Sequence, residues 1–144
     1  MERIKLNLPE QFLFSTNIAV RITDINYGGH VGNDSFLSLI HEARQQFLNH
    51  YQYSEMNFAG TSLIMADVAV EYKKELSYGD VVKISVTASG FDKLGFDIFY
   101  LLEVMHEEKN YIAGKAKTGM MCFDYQNKKR MQVPDEAITK FAAI

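Results

Sequence analysis

The stretch VRITDINYGGHVGNDSFLSLIHEARQQFL, Val20 to Leu48, changes its apolar period partway along, and that change decides the fold. Ahead of it and up to Ile22 the pattern alternates: Ile18, Val20 and Ile22 are separated by Ala19 and Arg21, which predicts a strand over residues 14–22. From Asn33 the spacing becomes helical. Phe36, Ile40, Ala43 and Phe47 fall at steps of four, three and four, with Leu37, Leu39 and Leu48 widening the stripe, so a helix is predicted from Asn33 to about His50. An apolar arc this broad suits a helix enclosed on several sides by sheet. Asn33 is the candidate N-cap, and Asp34 in the first turn complements the positive end of the helix dipole. Residues 23–34 form the loop between the two elements.

Downstream the chain reads as strands: residues 61–73, 81–88, 96–105 and 111–123. Turns fall at Ser77 to Asp80, Gly90 to Gly95 and Asp124 to Lys129, with a polar hairpin loop over residues 106–110. Pro134 opens a short terminal helix running to Ala143. One long helix set among consecutive strands predicts an α+β domain built on an antiparallel meander.

A length of 144 residues leaves room for one domain, spanning 1–144, and an apolar share of 47% supplies a core without disulfides or a structural metal. The lone Cys122 cannot bridge within the chain or assemble a Cys-based zinc site, so a reducing compartment is expected. No window approaches the ~18 apolar residues of a membrane span, and no basic stretch leads into an apolar run at the start, which predicts a cytoplasmic protein. A net charge of −3 argues against a nucleic-acid partner.

Chemistry concentrates in residues 23–34. Asp24 and Asp34, His30, Asn26 and Asn33 stand together with Gly28, Gly29 and Gly32 directly before the long helix. Glycines let backbone approach a ligand closely, and the free N–H groups of a first helical turn suit an oxygen carrying partial negative charge. That combination fits carbonyl chemistry. The same residue types also make an ordinary turn with a capped helix and a locally bonded His30.

The segment quoted above resembles the opening motif of hotdog-fold thioesterases of the 4-hydroxybenzoyl-CoA thioesterase group: a strand, then Asp-x-Asp-x-x-Gly-His-Val-Asn-Asn, then a helix containing Glu-Ala-Arg. Two later pieces are similar to the same group, VEYKKELSYGDVVKISV at 70–86 and MCFDYQNKKRMQVPDEAI at 121–138. The resemblance covers residues 20–138. It implies a hotdog fold, hydrolysis of an acyl thioester of coenzyme A or acyl carrier protein, no cofactor, and edge-to-edge pairing into a homodimer or homotetramer with the site at the subunit boundary. Open strand edges point the same way.

Within the motif, Asp24 falls on the first Asp, His30 on the His and Asn33 on the second Asn. Asn26 stands where the family carries its catalytic carboxylate, and Gly32 replaces the first Asn. A carboxamide is neither nucleophile nor base. As the base that must replace it, His30 ranks above Asp34 for its pKa near ~6.5, Asp34 above Asp24, and Glu42 last. The catalytic candidates are therefore His30, Asp34, Asn26, Asn33 and Asp24. In the expected mechanism the Gly32 and Asn33 N–H groups hold the carbonyl oxygen and His30, supported by Asp34, activates water. Gly29, Gly32 and Glu42 are the substrate-binding candidates, although Glu42 is also placed to pair with Arg44. No metal is expected, since His41, His50 and His106 lack ligand spacing with nearby acids.

Two alternatives stay open: a hydratase or dehydratase of the same fold, and a catalytically silent acyl-thioester binder. Met56, Met65, Met105, Met120 and Met121 suit core filling more than an acyl tunnel, and Cys122 suits a small buried position. Lys73, Lys74, Lys128, Lys129 and Arg130 read as solvated turn residues before they read as phosphate ligands.

Overall fold

The computed structural model describes residues 1–142. Strand β1, Phe14–Ala19, alternates half-buried and exposed side chains as predicted but stops short of Ile22. The reason is local. The Asp24 carboxylate accepts the Arg21 N–H at 2.8 Å while the Asp24 N–H donates to the Arg21 carbonyl at 2.9 Å, winding Ile22–Asp24 into a single 3₁₀ turn. Val20 is buried as expected, and Ile22 is turned out to solvent.

Helix α1, Asn33–His50, has the predicted limits, yet Gly32 and not Asn33 is its N-cap. Its buried residues are Phe36, Leu39, Ile40, Ala43, Arg44, Phe47 and Leu48. Leu37, counted in the apolar stripe, is 40% exposed, and a charged residue, Arg44, takes an inward position.

The strands that follow are β2 (Ser62–Tyr72), β3 (Val81–Ser89), β4 (Gly95–His106), β5 (Lys109–Asp124) and a two-residue β6 (Lys129–Arg130) inside the predicted last turn. Helix α2, Asp135–Phe141, follows Pro134; Ala143 lies outside the described residues. The sheet is antiparallel throughout, in the order β1-β3-β4-β5-β2, with β6 paired to β5. Only β3, β4 and β5 form the expected meander. Because α1 carries the chain across the sheet, β2 lands on the edge opposite β1, and residues 73–80 bring it back to β3.

The helix lies nearest β1 and β3. Phe47 is fully buried, stacked on Phe141 at 5.2 Å and edge-on to Tyr51 at 5.4 Å, so α2 closes the core at one end of α1. Burial of side chains of this size supplies about 1.5–3 kcal/mol each. Cys122 is buried, and burial pushes its thiol pKa up, the behaviour of a packing residue and not a nucleophile. Of the methionines named above, Met120 is core, but Met65 on β2, Met105 near the end of β4 and Met56 in the α1–β2 connection are exposed.

Candidate active site

The loop ahead of α1 is a small hairpin. Ile25 and Val31 pair across it, the Asn26 N–H donates to the His30 carbonyl at 2.8 Å, and the Gly29 N–H donates to the Asn26 carbonyl at 3.1 Å. Gly29 holds φ +84°, the left-handed position that ends a three-residue hairpin loop. The turn accounts for the glycine at this position. The Asn26 Oδ1 accepts the Gly28 N–H at 2.9 Å and the His30 N–H at 3.5 Å, which leaves its Nδ2 facing elsewhere. The Val31 N–H donates to the Leu76 carbonyl at 2.8 Å, tying the hairpin to the β2–β3 connection.

Asp24 does not reach the reacting region in this arrangement. It is buried, its carboxylate holds Arg21, and its carbonyl accepts the Gly32 N–H at 3.2 Å. The Gly32 amide is therefore spent on the chain and cannot hold a substrate oxygen, contrary to expectation. In the first turn of α1 the Asp34 N–H donates to Asn33 Oδ1 and the Ser35 N–H to Asp34 Oδ1, each at 2.9 Å. Among the described residues the Asn33 N–H alone is left free there, at the positive end of an 18-residue helix.

A cleft of about 320 Å³ opens at this point, lined by Val31, Asn33, Phe36, Tyr72, Glu75 and Leu76, with Lys73 and Lys74 at its mouth. The Tyr72 hydroxyl donates to the Asn33 carbonyl at 3.4 Å, and its ring meets Phe36 edge-on at 5.1 Å. Burial, and then the charge of Asp34, push the Tyr72 phenol pKa up. A Cβ on Gly32 would sit 2.6 Å from Asp34 Oδ1 and 3.6 Å from Asn26 Nδ2. The carboxylate thus occupies the space left by the missing side chain, beside the carboxamide that replaces the family's acid.

His30 is not supported by Asp34. Its Nε2 lies 3.1 Å from Glu75 Oε2, and its Nδ1 is buried with no partner among the described residues. Through Glu75, His30 links the hairpin to residues 73–80. Glu42 also leaves the site: it is exposed and accepts a hydrogen bond from Gln46 at 3.1 Å, while Arg44 pairs with Glu55. Lys73 pairs with Glu71 at 2.5 Å, and Lys74 stands over the Tyr111 ring at 4.4 Å. Larger hollows occur beside Asp67 and Asp97, about 480 Å³, and beside Asp80, about 650 Å³. Their acids are already paired, the first two with Lys117 and the third with His106.

Tyr72 and Glu75 were not among the sequence candidates. Both fall inside the second family-like segment, but their contacts join residues 39 and 45 positions apart, Tyr72 to Asn33 and Glu75 to His30, and no local spacing encodes that.

An antiparallel sheet with one long helix laid over it, and a polar hairpin at the helix start, defines a hotdog domain. The sequence profile of the thioesterase-like superfamily matches residues 20–141, and the chain belongs to that superfamily. A 1,4-dihydroxy-2-naphthoyl-CoA hydrolase from Nostoc punctiforme is 23% identical over 128 residues, covering 87% of this chain and 84% of that one. A thioesterase-superfamily structure from Jannaschia sp. CCS1 superposes with a TM-score of 0.82 at 17% identity, covering 94% of this chain and 84% of its own. A 1,4-dihydroxy-2-naphthoyl-CoA thioesterase from Synechocystis gives 0.79 at 19%, covering 91% and 96%. These likenesses establish the fold. No helix among the described residues is long and apolar enough to cross a membrane.

Proposed function

We propose that this protein hydrolyses an acyl thioester of coenzyme A or acyl carrier protein at the start of α1, with Asp34 as the base. The observation that carries the reading is the one backbone donor left free at the start of α1 among the described residues, Asn33 N–H, in a residue that lines a cleft, with the Asp34 carboxylate in the same helical turn. The thioester oxygen accepts from Asn33 N–H; one such preorganised donor contributes about 3–4 kcal/mol at the barrier. The Asn26 Nδ2 orients a water, Asp34 takes its proton as the oxygen attacks the carbonyl carbon, and the carbon–sulfur bond breaks to give the acid and, after proton return, the thiol. Superfamily membership and the Nostoc punctiforme hydrolase support this class of reaction.

A thiol reagent and a panel of acyl-CoA and acyl-carrier substrates test it: release above the uncatalysed rate is expected for at least one, and silence across the panel overturns it. Tight acyl-CoA binding with no thiol released identifies the second reading, a silent binder, which the carboxamide at Asn26 favours.

The cleft opens toward the edge strand β2, whose Met65, Val68 and Tyr72 are 44%, 45% and 50% exposed. Such an edge is a template for pairing. A homodimer through β2, or a homotetramer of such dimers, covers these side chains and brings a second copy against the cleft. Sedimentation at micromolar concentration is expected to show at least a dimer; a monomer removes this arrangement.

A further inference from the structure

We infer that the seam between α1 and β2 continues beyond the reacting centre into a second compartment that selects acyl groups carrying a hydroxyl or keto oxygen near their far end. Arg44 is the donor that recognises it. This rests on the reading that the acyl carbonyl sits at Asn33.

The second compartment is a cavity of about 250 Å³ lined by the apolar Leu37, Ile40, Met65 and Val68 and by the polar Ser38, His41, Arg44 and Thr118. It lies in line with the first. Asn33, Leu37, Ile40 and Arg44 follow at steps of four, three and four, one stripe down a single helix face. On the strand, Tyr72 and Val68 share a face by alternation. The irregularity between Met65 and Asp67 returns Met65 to that same face, since their partners Met120 and Gly119 are adjacent. The two cavities therefore lie between one helix stripe and one strand face, in the gap left where α1 leans toward β1 and β3. Arg44 stands about three turns, roughly 16 Å, beyond Asn33, and helical side chains lean back toward the N-terminus, shortening the span to that of a medium-length acyl chain.

Arg44 is built as a donor with something left to give. Its side chain is 6% exposed. Nε donates to Glu55 Oε1 at 2.5 Å and Nη1 to the Tyr100 hydroxyl at 3.4 Å, while that hydroxyl shares a hydrogen bond with Thr118 at 2.8 Å. A guanidinium has five N–H donors. Nη2 has no partner among the described residues, and it is not sealed off either: the buried side-chain atoms without a partner there are His30 Nδ1 and Tyr53 Oη. It is reachable from the cavity that Arg44 lines.

The charge balance sets the kind of oxygen. Glu55 already neutralises Arg44, and His41 Nε2 lies 3.7 Å from the same carboxylate. With Arg44 already neutralised, a second carboxylate would meet the like charge of Glu55. A plain alkyl end would cover the guanidinium and leave its donor unmade. A neutral hydroxyl or keto oxygen accepts that bond with neither penalty.

The test compares kcat/KM for decanoyl-CoA, ω-hydroxydecanoyl-CoA and the mono-CoA thioester of decanedioic acid, with wild type and with the Arg44→Met/Glu55→Gln double variant, which removes both charges together. Wild type is expected to prefer the ω-hydroxy substrate over the other two by roughly tenfold or more, the value of a hydrogen bond to a charged donor. In the double variant the hydroxy-to-plain ratio should fall to about one. Leu37→Trp, an exposed wall position on α1 and not on the β2 edge, keeps the test open should the double variant fail to fold. It should depress decanoyl-CoA turnover roughly tenfold relative to butyryl-CoA by filling the compartment. Equal wild-type rates for hydroxy and plain chains, a ratio unmoved in the double variant, or Leu37→Trp acting equally on long and short chains each overturns the inference. Calorimetric binding of the same thioesters separates the two readings. With no thiol released by any of them, tighter binding of the ω-hydroxy compound retains Arg44 recognition while hydrolysis falls, whereas turnover with no hydroxy preference does the reverse.

Discussion

Asp34→Asn is expected to lower kcat for thiol release by about 100- to 1000-fold, the span of a lost general base, with KM little changed. The substitution keeps the size of the side chain and its oxygen acceptor for the Ser35 N–H, now 2.9 Å away, so the first turn of α1 should stay formed. Loss of a negative charge at the helix start costs about 0.3–1 kcal/mol, a small fall in melting temperature. What disappears is the carboxylate that shares the space at Gly32 with the Asn26 carboxamide. By contrast His30→Ala, which cuts the latch to Glu75, should cost less than roughly tenfold through looser positioning of the hairpin. Unchanged rates in both variants would move the chemistry away from this turn; a large loss in His30→Ala with none in Asp34→Asn would return the base to the imidazole.

Glu55→Leu should be the more damaging change to stability, by about 3 kcal/mol in urea unfolding, because it strands the Arg44 guanidinium inside the molecule. That figure is the low end for a broken buried pair, since the Glu55 side chain keeps 24% of its surface in solvent. Removing both charges, as in Arg44→Met/Glu55→Leu, should recover most of the loss, since an apolar pair of similar volume often equals a buried ion pair. The double-mutant cycle isolates the coupling. A loss below about 0.5 kcal/mol for Glu55→Leu alone, the scale of an ordinary surface change, would mean that Arg44 finds water or another acceptor there.

Some of the site could be read before folding because its determinants are local. The helix from Asn33 to His50 rests on side-chain spacing, and the hairpin at residues 26–30 rests on Gly29 and the Asn26 side chain, all within a few bonds of one another. The cap was misassigned to Asn33 because Gly32 caps with its carbonyl, which accepts the Phe36 N–H at 2.9 Å, and a carbonyl leaves no mark in residue type. The surroundings of His30, too, are non-local. His30 suits neutral-pH proton transfer by its intrinsic pKa, but Glu75, brought alongside by the β2–β3 connection, occupies it. Likewise Glu42 was matched to Arg44 as a sequence neighbour, whereas the partner is Glu55, beyond the end of the helix.

Read alone, the 144 residues settled what depends on period and on short-range geometry: one α+β domain, one long helix, an antiparallel sheet, and a polar turn at the helix start. Tertiary structure alone decided which strands sit at the edges, which amide at the helix start stays free, and which acid pairs with His30. The physical reason is that periodicity reports which side of an element is buried. It does not report which distant group arrives to satisfy a particular N–H, imidazole or guanidinium, and at this site that pairing determines which groups are left to react.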